Sequence, residues 1–330
     1  MTNIAIDVGT SYITVYVEGN NVVLREPSVL AYIGEDNELR AVGKEALEMQ
    51  GKTNEKINFV TPIVDGYIED EESAATLIGE LLRKIFPSLG KVFGTSLSAI
   101  VSVPVGITVE ERKKYEDVCV RAGIKRVEMV DKVLLAALGA EVPSDGALVV
   151  AIGGGSTEIA IVSFNSIVTG CSINVGGNMM DRAVSDYVSG KCGIRLGKLA
   201  ARKTKESSAS LYEDDVAKEE IKGLNTDTLT PVMAELYTAD VYRAIEPYYD
   251  RIAETVMCVV NDCPPALAQA VQERGLFVCG GGAKIPGLKE FLQKKTSLPV
   301  RVCPDPEYVT VLGGGRLITD PDLLDEINAQ

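Results

Sequence analysis

Residues 151–157, AIGGGST, place three glycines and two hydroxyls directly behind an apolar strand. Residue types in this order suit phosphate. Glycine lets backbone N–H groups close on an anion, and Ser156 and Thr157 are expected to add hydroxyl donors. Phosphate commonly arrives with a divalent ion, which takes a carboxylate at the end of such a strand, directly or through water. Ala151 holds that place here, so the run is equipped for the anion and not for the metal. Two more runs, residues 6–11 (IDVGTS) and residues 279–284 (CGGGAK), offer the same close backbone approach.

Turns of this kind act only when strands hold them. Residues 4–26 and 148–171 share one plan: apolar strand, glycine turn with hydroxyls, alternating strand, asparagine-containing turn, third strand. Each copy is followed by helices and a further glycine turn, which predicts a duplicated α/β domain with loops facing across a cleft. Between the copies the pattern predicts a helix over 71–86, a buried strand over 97–104 and an amphipathic helix over 108–123. Beyond the second copy it predicts helices over 178–189 and 196–208, then a small exposed subdomain from the acidic stretch 212–230. Helical periodicity resumes over 231–260, and residues 276–292 read as strand, glycine turn and helix. The expected division is 1–140 and 141–330, with smaller subdomains over about 30–70 and 190–240 and a C-terminal helix packing back on the first domain. No low-complexity linker separates the halves, which suits a cleft that hinges around a ligand.

Composition removes several function classes. The chain has 330 residues, 46% of them hydrophobic, enough for about two domains at ~100–200 residues each. A net charge of −14 repels nucleic acid at long range. There is no histidine, which excludes Ser-His-Asp and Cys-His triads and His-ligated zinc. Catalysis would have to rest on carboxylates, lysine, backbone amides and a metal. The seven cysteines are odd in number and show no CxxC, so reduced thiols are expected. No apolar run approaches the ~18 residues of a membrane span, and the first residues show no secretory leader, so the expected location is cytoplasmic.

The three runs resemble the two phosphate loops and the adenosine loop of the actin, hexokinase and heat-shock chaperone ATPase superfamily. Interleaved segments resemble the MreB family of bacterial actins in order along nearly the whole chain. Among them are REPSVLAY, VTPIVDGYIEDEES, VPVGITVEERKKYEDVCVRAGIKRVEMV, INVGGNMMD and ERGLFVCGGGAKIPGLKEFLQKKT. The resemblance implies an actin-like fold, two α/β domains with mixed sheets flanking a nucleotide cleft, binding ATP or GTP with magnesium. It implies that Asp7, Gly9, Thr10, Ser11 and Tyr12 form the first phosphate loop, with Asp7 serving the metal, and that Asp65 joins the segment below the phosphates. Gly153, Gly154, Gly155, Ser156 and Thr157 match the second loop, and Gly280, Gly281, Gly282 and Ala283 the loop behind the nucleoside. Lys205 matches a base-contacting lysine, and Arg202 replaces an acid of the same segment. As partners it implies further copies of the chain in a filament, the inner face of the cytoplasmic membrane and membrane proteins of the cell-elongation machinery.

Two departures bear on hydrolysis. The strand before the second loop ends in Asp in the family and in Ala151 here. The family's Glu-Glu-Pro turn is replaced by residues 131–133 (DKV), which puts Lys132 where a glutamate orients the attacking water. A charged lysine cannot accept a proton. Binding is therefore expected to persist with weakened hydrolysis unless Asp131 or Glu158 substitutes. With a first strand expected from Ile4, no N-terminal amphipathic helix precedes it, and membrane contact is assigned to the loop 86–98, through Phe86, Leu89, Val92 and Phe93. The alternatives are a small-metabolite kinase of the same superfamily, needing an acceptor-deprotonating acid such as Asp65, and a nucleotide-independent structural relative.

Overall fold

The computed structural model describes residues 1–34, 37–52, 57–90 and 94–328. The duplication is built as two five-stranded sheets of one topology. In the first the order is Ile124–Asp131, Leu97–Val103, Thr2–Val8, Tyr12–Val17, Asn21–Pro27; in the second it is Val300–Val302, Leu276–Cys279, Ala147–Ile152, Thr157–Ser163, Ser166–Ile173. In each, three parallel strands are followed by two antiparallel ones. The likeness extends to single hydrogen bonds. Gly9 N–H donates to Tyr12 O at 3.1 Å in the first turn, and Gly153 N–H to Ser156 O at 2.8 Å in the second. Asp7 pairs in register with Thr14 and Ala151 with Glu158, so Ala151 is the structural counterpart of Asp7.

Local sequence explains the supporting helices. Asp70 caps Glu71–Ile85 by accepting from Ser73 N–H at 3.0 Å, and Thr108 and Glu111 form a reciprocal capping box on Val109–Arg121. The strand Ala147–Ile152 is apolar at every position because both of its faces are covered, as a central parallel strand requires.

The two sheets share a core. Helix Lys132–Gly139 crosses helix Val309–Thr319 so closely that a Cβ on Gly139 would overlap Val309 O and one on Gly313 would overlap Leu135 O. Ala5 and Ile100 from the first sheet and Val149, Ala151 and Ala160 from the second pack with Val133 and Val311 of these helices. A Cβ on Gly314 would meet Ala5 Cβ at 2.6 Å, which seats Val309–Thr319 on the first sheet. This shared core fixes the floor of the cleft.

The small subdomains are sheets too. Leu30–Ile33, Glu38–Val42 and Ile57–Val60 form one, and Ile194–Arg195, Lys218–Asn225 and Pro231–Tyr237 the other. The second differs from the helix expected over 231–260, which starts only at Thr238 and runs as Thr238–Asn261. Burial alternates along Pro231–Tyr237, and Asn225 Oδ1 accepts from Asp227 N–H (3.0 Å) and Thr228 N–H (2.9 Å), tying a hairpin turn that periodicity alone does not reveal. The proposed membrane loop is corrected in part. Leu89 is buried under Gly123 and so is not available for insertion, and Phe86 is half-buried against the first core. Val92 and Phe93 lie outside the described residues. No helix among the described residues is long and apolar enough to cross a membrane. All seven cysteines are free, and burial pushes the Cys119 thiol up to about 12.

Candidate nucleotide cleft

The two glycine turns close on each other. A Cβ on Gly155 would stand 2.5 Å from Thr10 Oγ1 and 2.7 Å from Asp65 Cα, and one on Gly154 would stand 2.7 Å from Ser11 Cβ, so only glycine permits the approach. Ser11 Oγ donates across the cleft to Asn178 Oδ1 at 3.2 Å, and Gly66 N–H donates to Thr10 Oγ1 at 2.9 Å. The second turn is tied to the start of helix Gly177–Cys192 by Gly177 N–H to Gly153 O (3.0 Å) and Asn178 N–H to Gly154 O (2.8 Å). Tyr115 fixes the segment below by donating to Gly66 O at 2.5 Å. Together they frame a cavity of about 540 Å³ whose walls come from both domains.

Of the sequence-predicted residues, Asp7, Gly9, Thr10, Ser11, Tyr12, Lys132, Ala151, Gly153, Gly154, Gly155, Ser156, Arg202, Lys205, Gly280, Gly281 and Gly282 line the cavity. Asp65, Thr157 and Ala283 stand behind it: Asp65 backs Gly155, and the other two are buried. The expected hydroxyl donors are corrected. Ser156 Oγ donates to Glu158 Oε1 (3.0 Å) and Thr157 Oγ1 to Val175 O (2.6 Å), so neither hydroxyl hydrogen faces the cavity and the turn offers backbone N–H groups.

The acids held open as substitutes are both engaged elsewhere. Asp131 faces Arg112, whose Nη2 lies 3.3 Å from Oδ2, and it does not line the cavity. Burial raises its carboxyl pKa above the usual range against the lowering pull of that guanidinium. Glu158 is fully buried and accepts from Ser156 Oγ, Ser172 Oγ (2.9 Å) and Val105 N–H (3.1 Å). Three of the carboxylate's about four acceptor positions are thereby taken, and Glu158 does not line the cavity.

The charged pair Asp7 and Lys132 lies in the cavity lining, with Nζ 2.9 Å from Oδ1. Burial works against the ammonium, but Asp7 overrides it and holds the Lys132 pKa above the ordinary lysine value. Asp7 Oδ1 also accepts from Ser102 Oγ at 2.6 Å, and Ser102 accepts from Val8 N–H at 3.3 Å. These donors do not fit the magnesium that the resemblance implies. The Lys132 ammonium and the Ser102 hydroxyl both sit on Asp7 Oδ1, so a divalent ion there would meet a like charge, and the counterpart that would offer a second carboxylate is the methyl of Ala151.

The rest of the lining was only partly legible. Lys205 pairs with Asp181 at 2.6 Å and donates to Gly177 O at 2.9 Å. Arg202 donates to Tyr12 OH at 3.0 Å and to Glu206 at 2.9 Å. Arg25 lies 3.6 Å over the Tyr12 ring, so Tyr12 is held by guanidinium groups of both domains. Tyr249, donating to Gly282 O at 3.0 Å, positions the third glycine run, and Lys284 pairs with Glu307 at 2.7 Å. Asn178, Asp181, Arg25, Tyr249 and Glu307 were missed because no local motif marks them: Asn178 meets Ser11 across the cleft, Arg25 meets Tyr12 within the first domain, and Asp181, Tyr249 and Glu307 meet Lys205, Gly282 and Lys284 within the second.

With this geometry in hand, the comparisons are consistent from end to end. The family described as MreB/Mbl protein matches residues 1–326. The cell shape-determining protein MreB of Escherichia coli (strain K12) is 32% identical over 97% of this chain and 94% of its own length. Mbl of Bacillus subtilis (strain 168), likewise named cell shape-determining, is 30% identical over 98% and 97%. The crystal structure of MreB5 of Spiroplasma citri bound to ADP superposes with a TM-score of 0.90 at 30% identity, covering 100% of this chain and 99% of that one. A two-domain actin-like fold, a shared plan of glycine turns and similarity along the full length agree: this chain belongs to the MreB/Mbl family.

Proposed function

We propose that the chain binds ATP or GTP between its domains and that closure on the nucleotide presents complementary ends for head-to-tail assembly into filaments. The observation that carries this reading is the pair of facing glycine turns: Gly9, Thr10 and Ser11 and Gly153, Gly154, Gly155 and Ser156 line one cavity, and with Gly9 N–H and Gly153 N–H closing their own turns, the N–H groups of Thr10, Ser11, Gly154, Gly155 and Ser156 are left to meet an anion. Gly280, Gly281 and Gly282 back the nucleoside, and Arg202 and Lys205 flank its base. A cavity of about 540 Å³ is of the size small-molecule sites have, ~300–1,000 Å³. MreB5 has been seen with ADP and with AMPPNP, which supports a nucleotide in the corresponding place. Head-to-tail contacts that do not close on themselves propagate as an open polymer. In the cell such filaments lie against the inner face of the cytoplasmic membrane and organise, with membrane proteins of the elongation machinery, the cell shape for which the relatives are named.

Hydrolysis is weak on this reading, because Lys132 and Ala151 replace acids and Asp131 and Glu158 are bound elsewhere. A kinase of the same superfamily is less well supported, since Asp65 stands outside the cavity lining and the acids within it, Asp7, Asp181, Glu206 and Glu307, are each paired with a lysine or arginine. The test is high-speed pelleting and negative-stain microscopy of the purified chain with ATP, GTP and no nucleotide, at micromolar concentration. Nucleotide-dependent filaments support the reading. Monomers in every condition, together with no measurable nucleotide binding, overturn it.

A further inference from the structure

We propose that Lys132 is the resident counterion of this cleft, so that nucleotide phosphates bind its ammonium and the backbone amides without a divalent ion. The inference rests on the nucleotide reading above and concerns how that site meets its charge. Lys132 lines the cavity together with Asp7, Gly153 and Gly154, and its one ion pair among the described residues is the 2.9 Å contact of Nζ with Asp7. An ammonium has three N–H donors, so donors remain for the cavity after Asp7 takes one. The side chain keeps 20% of its surface exposed, within reach of an incoming anion.

Placement argues the same way. Lys132 is the first residue of helix Lys132–Gly139, where the helix dipole disfavours a cation. It is held there by Asp7, and Asp7 is in turn held by Ser102 at 2.6 Å. A divalent ion at Asp7 would have to evict the ammonium or sit against it as a like charge. It would also face a methyl from Ala151, which occupies in the second sheet the position Asp7 has in the first. Asp7, Lys132 and Ala151 together leave this end of the cavity neutral before any ligand enters, and an anionic ligand needs no further cation to offset protein carboxylates there.

The test is calorimetric titration of the wild-type chain with ATP, in EDTA and again in excess magnesium. The two dissociation constants should agree within about threefold. Lys132→Met should lose about tenfold or more in EDTA, while Lys132→Arg, which keeps the charge, should retain metal-free binding. The double variant Ala151→Asp with Lys132→Glu should become metal-dependent, binding at least about tenfold more tightly with magnesium than in EDTA. Wild-type binding that appears only with magnesium overturns this inference and leaves the nucleotide reading standing, as does Lys132→Met binding as tightly as wild type in EDTA. Absence of wild-type binding in both buffers overturns the nucleotide reading itself, and this inference with it.

Discussion

Gly155→Ala should separate nucleotide binding from folding. Gly155 is not among the glycines with positive φ, so alanine brings no left-handed backbone strain. The added Cβ meets the other domain, at 2.5 Å from Thr10 Oγ1, 2.7 Å from Asp65 Cα and 2.9 Å from Asp65 N. Ordinary contact begins at 3.4 Å, so the turns must part by about 0.7–0.9 Å, and two of the three atoms are backbone that cannot rotate away. Overpacking of this size costs about 1–3 kcal/mol, and disturbing the bond from Gly66 N–H to Thr10 Oγ1 adds about 0.5–1.5 kcal/mol. The cleft can relieve both by opening, so the penalty falls on the closed, ligand-holding arrangement. A loss of about 2–4 kcal/mol corresponds to roughly thirty- to a thousandfold in affinity. The assay is titration with a fluorescent ATP analogue, with thermal unfolding of the free protein as the second measurement and Gly190→Ala as control. Gly190 sits in helix Gly177–Cys192 with nothing within 4 Å of an added Cβ, and its substitution should leave binding unchanged. A Gly155→Ala protein that binds within about twofold of wild type would refute the facing-turn geometry as the ligand-holding state.

Other expectations follow from separate parts of the molecule. In phosphate-release assays at saturating nucleotide, wild type should turn over close to background, since a missing positioned base removes ~10²–10⁴ in rate. The double variant Ala151→Asp with Lys132→Glu should exceed either single change, and brisk wild-type turnover would contradict the assignment. Gly313→Val drives a side chain into Leu135 O at the helix crossing and should lower stability by at least about 3 kcal/mol, measured by urea denaturation. Asp240 is almost fully buried and accepts from Lys191 Nζ at 2.6 Å; burial opposes its charge, but Lys191 and the Tyr237 N–H hold its pKa below the usual carboxylate range. A depressed folded pKa adds stability that is present above the unfolded value near ~4 and lost as pH falls through the folded one. Asp240→Asn should therefore cost about 1–3 kcal/mol at pH 7, discounted because Lys191 is half-exposed, and the difference from wild type should vanish in strong acid.

What the sequence revealed and what it hid divide along a physical line. The paired hairpins were legible because a strand, a glycine turn and a second strand are set by neighbours in the chain, and the copies match down to the bonds from Gly9 to Tyr12 and from Gly153 to Ser156. The strand Pro231–Tyr237 was not, because its alternation is short and its partner Lys218–Asn225 reads as a solvated acidic run until the hairpin is closed. Lys132 shows the same limit in the site. Its residue type announced the loss of an acid, but nothing local said that its ammonium would settle on Asp7, some 125 positions earlier by the numbering. That contact joins the two departures into one device. With a methyl at Ala151, Asp7 would stand alone as a part-buried negative charge beside an anion's path, an arrangement that repels the ligand and costs stability. A cation tethered at Lys132 neutralises Asp7 and still faces the cavity. On the reading proposed above, the paired change would keep an anion site while removing the groups that place a metal and a water, the combination that a polymerising switch with slow turnover would require.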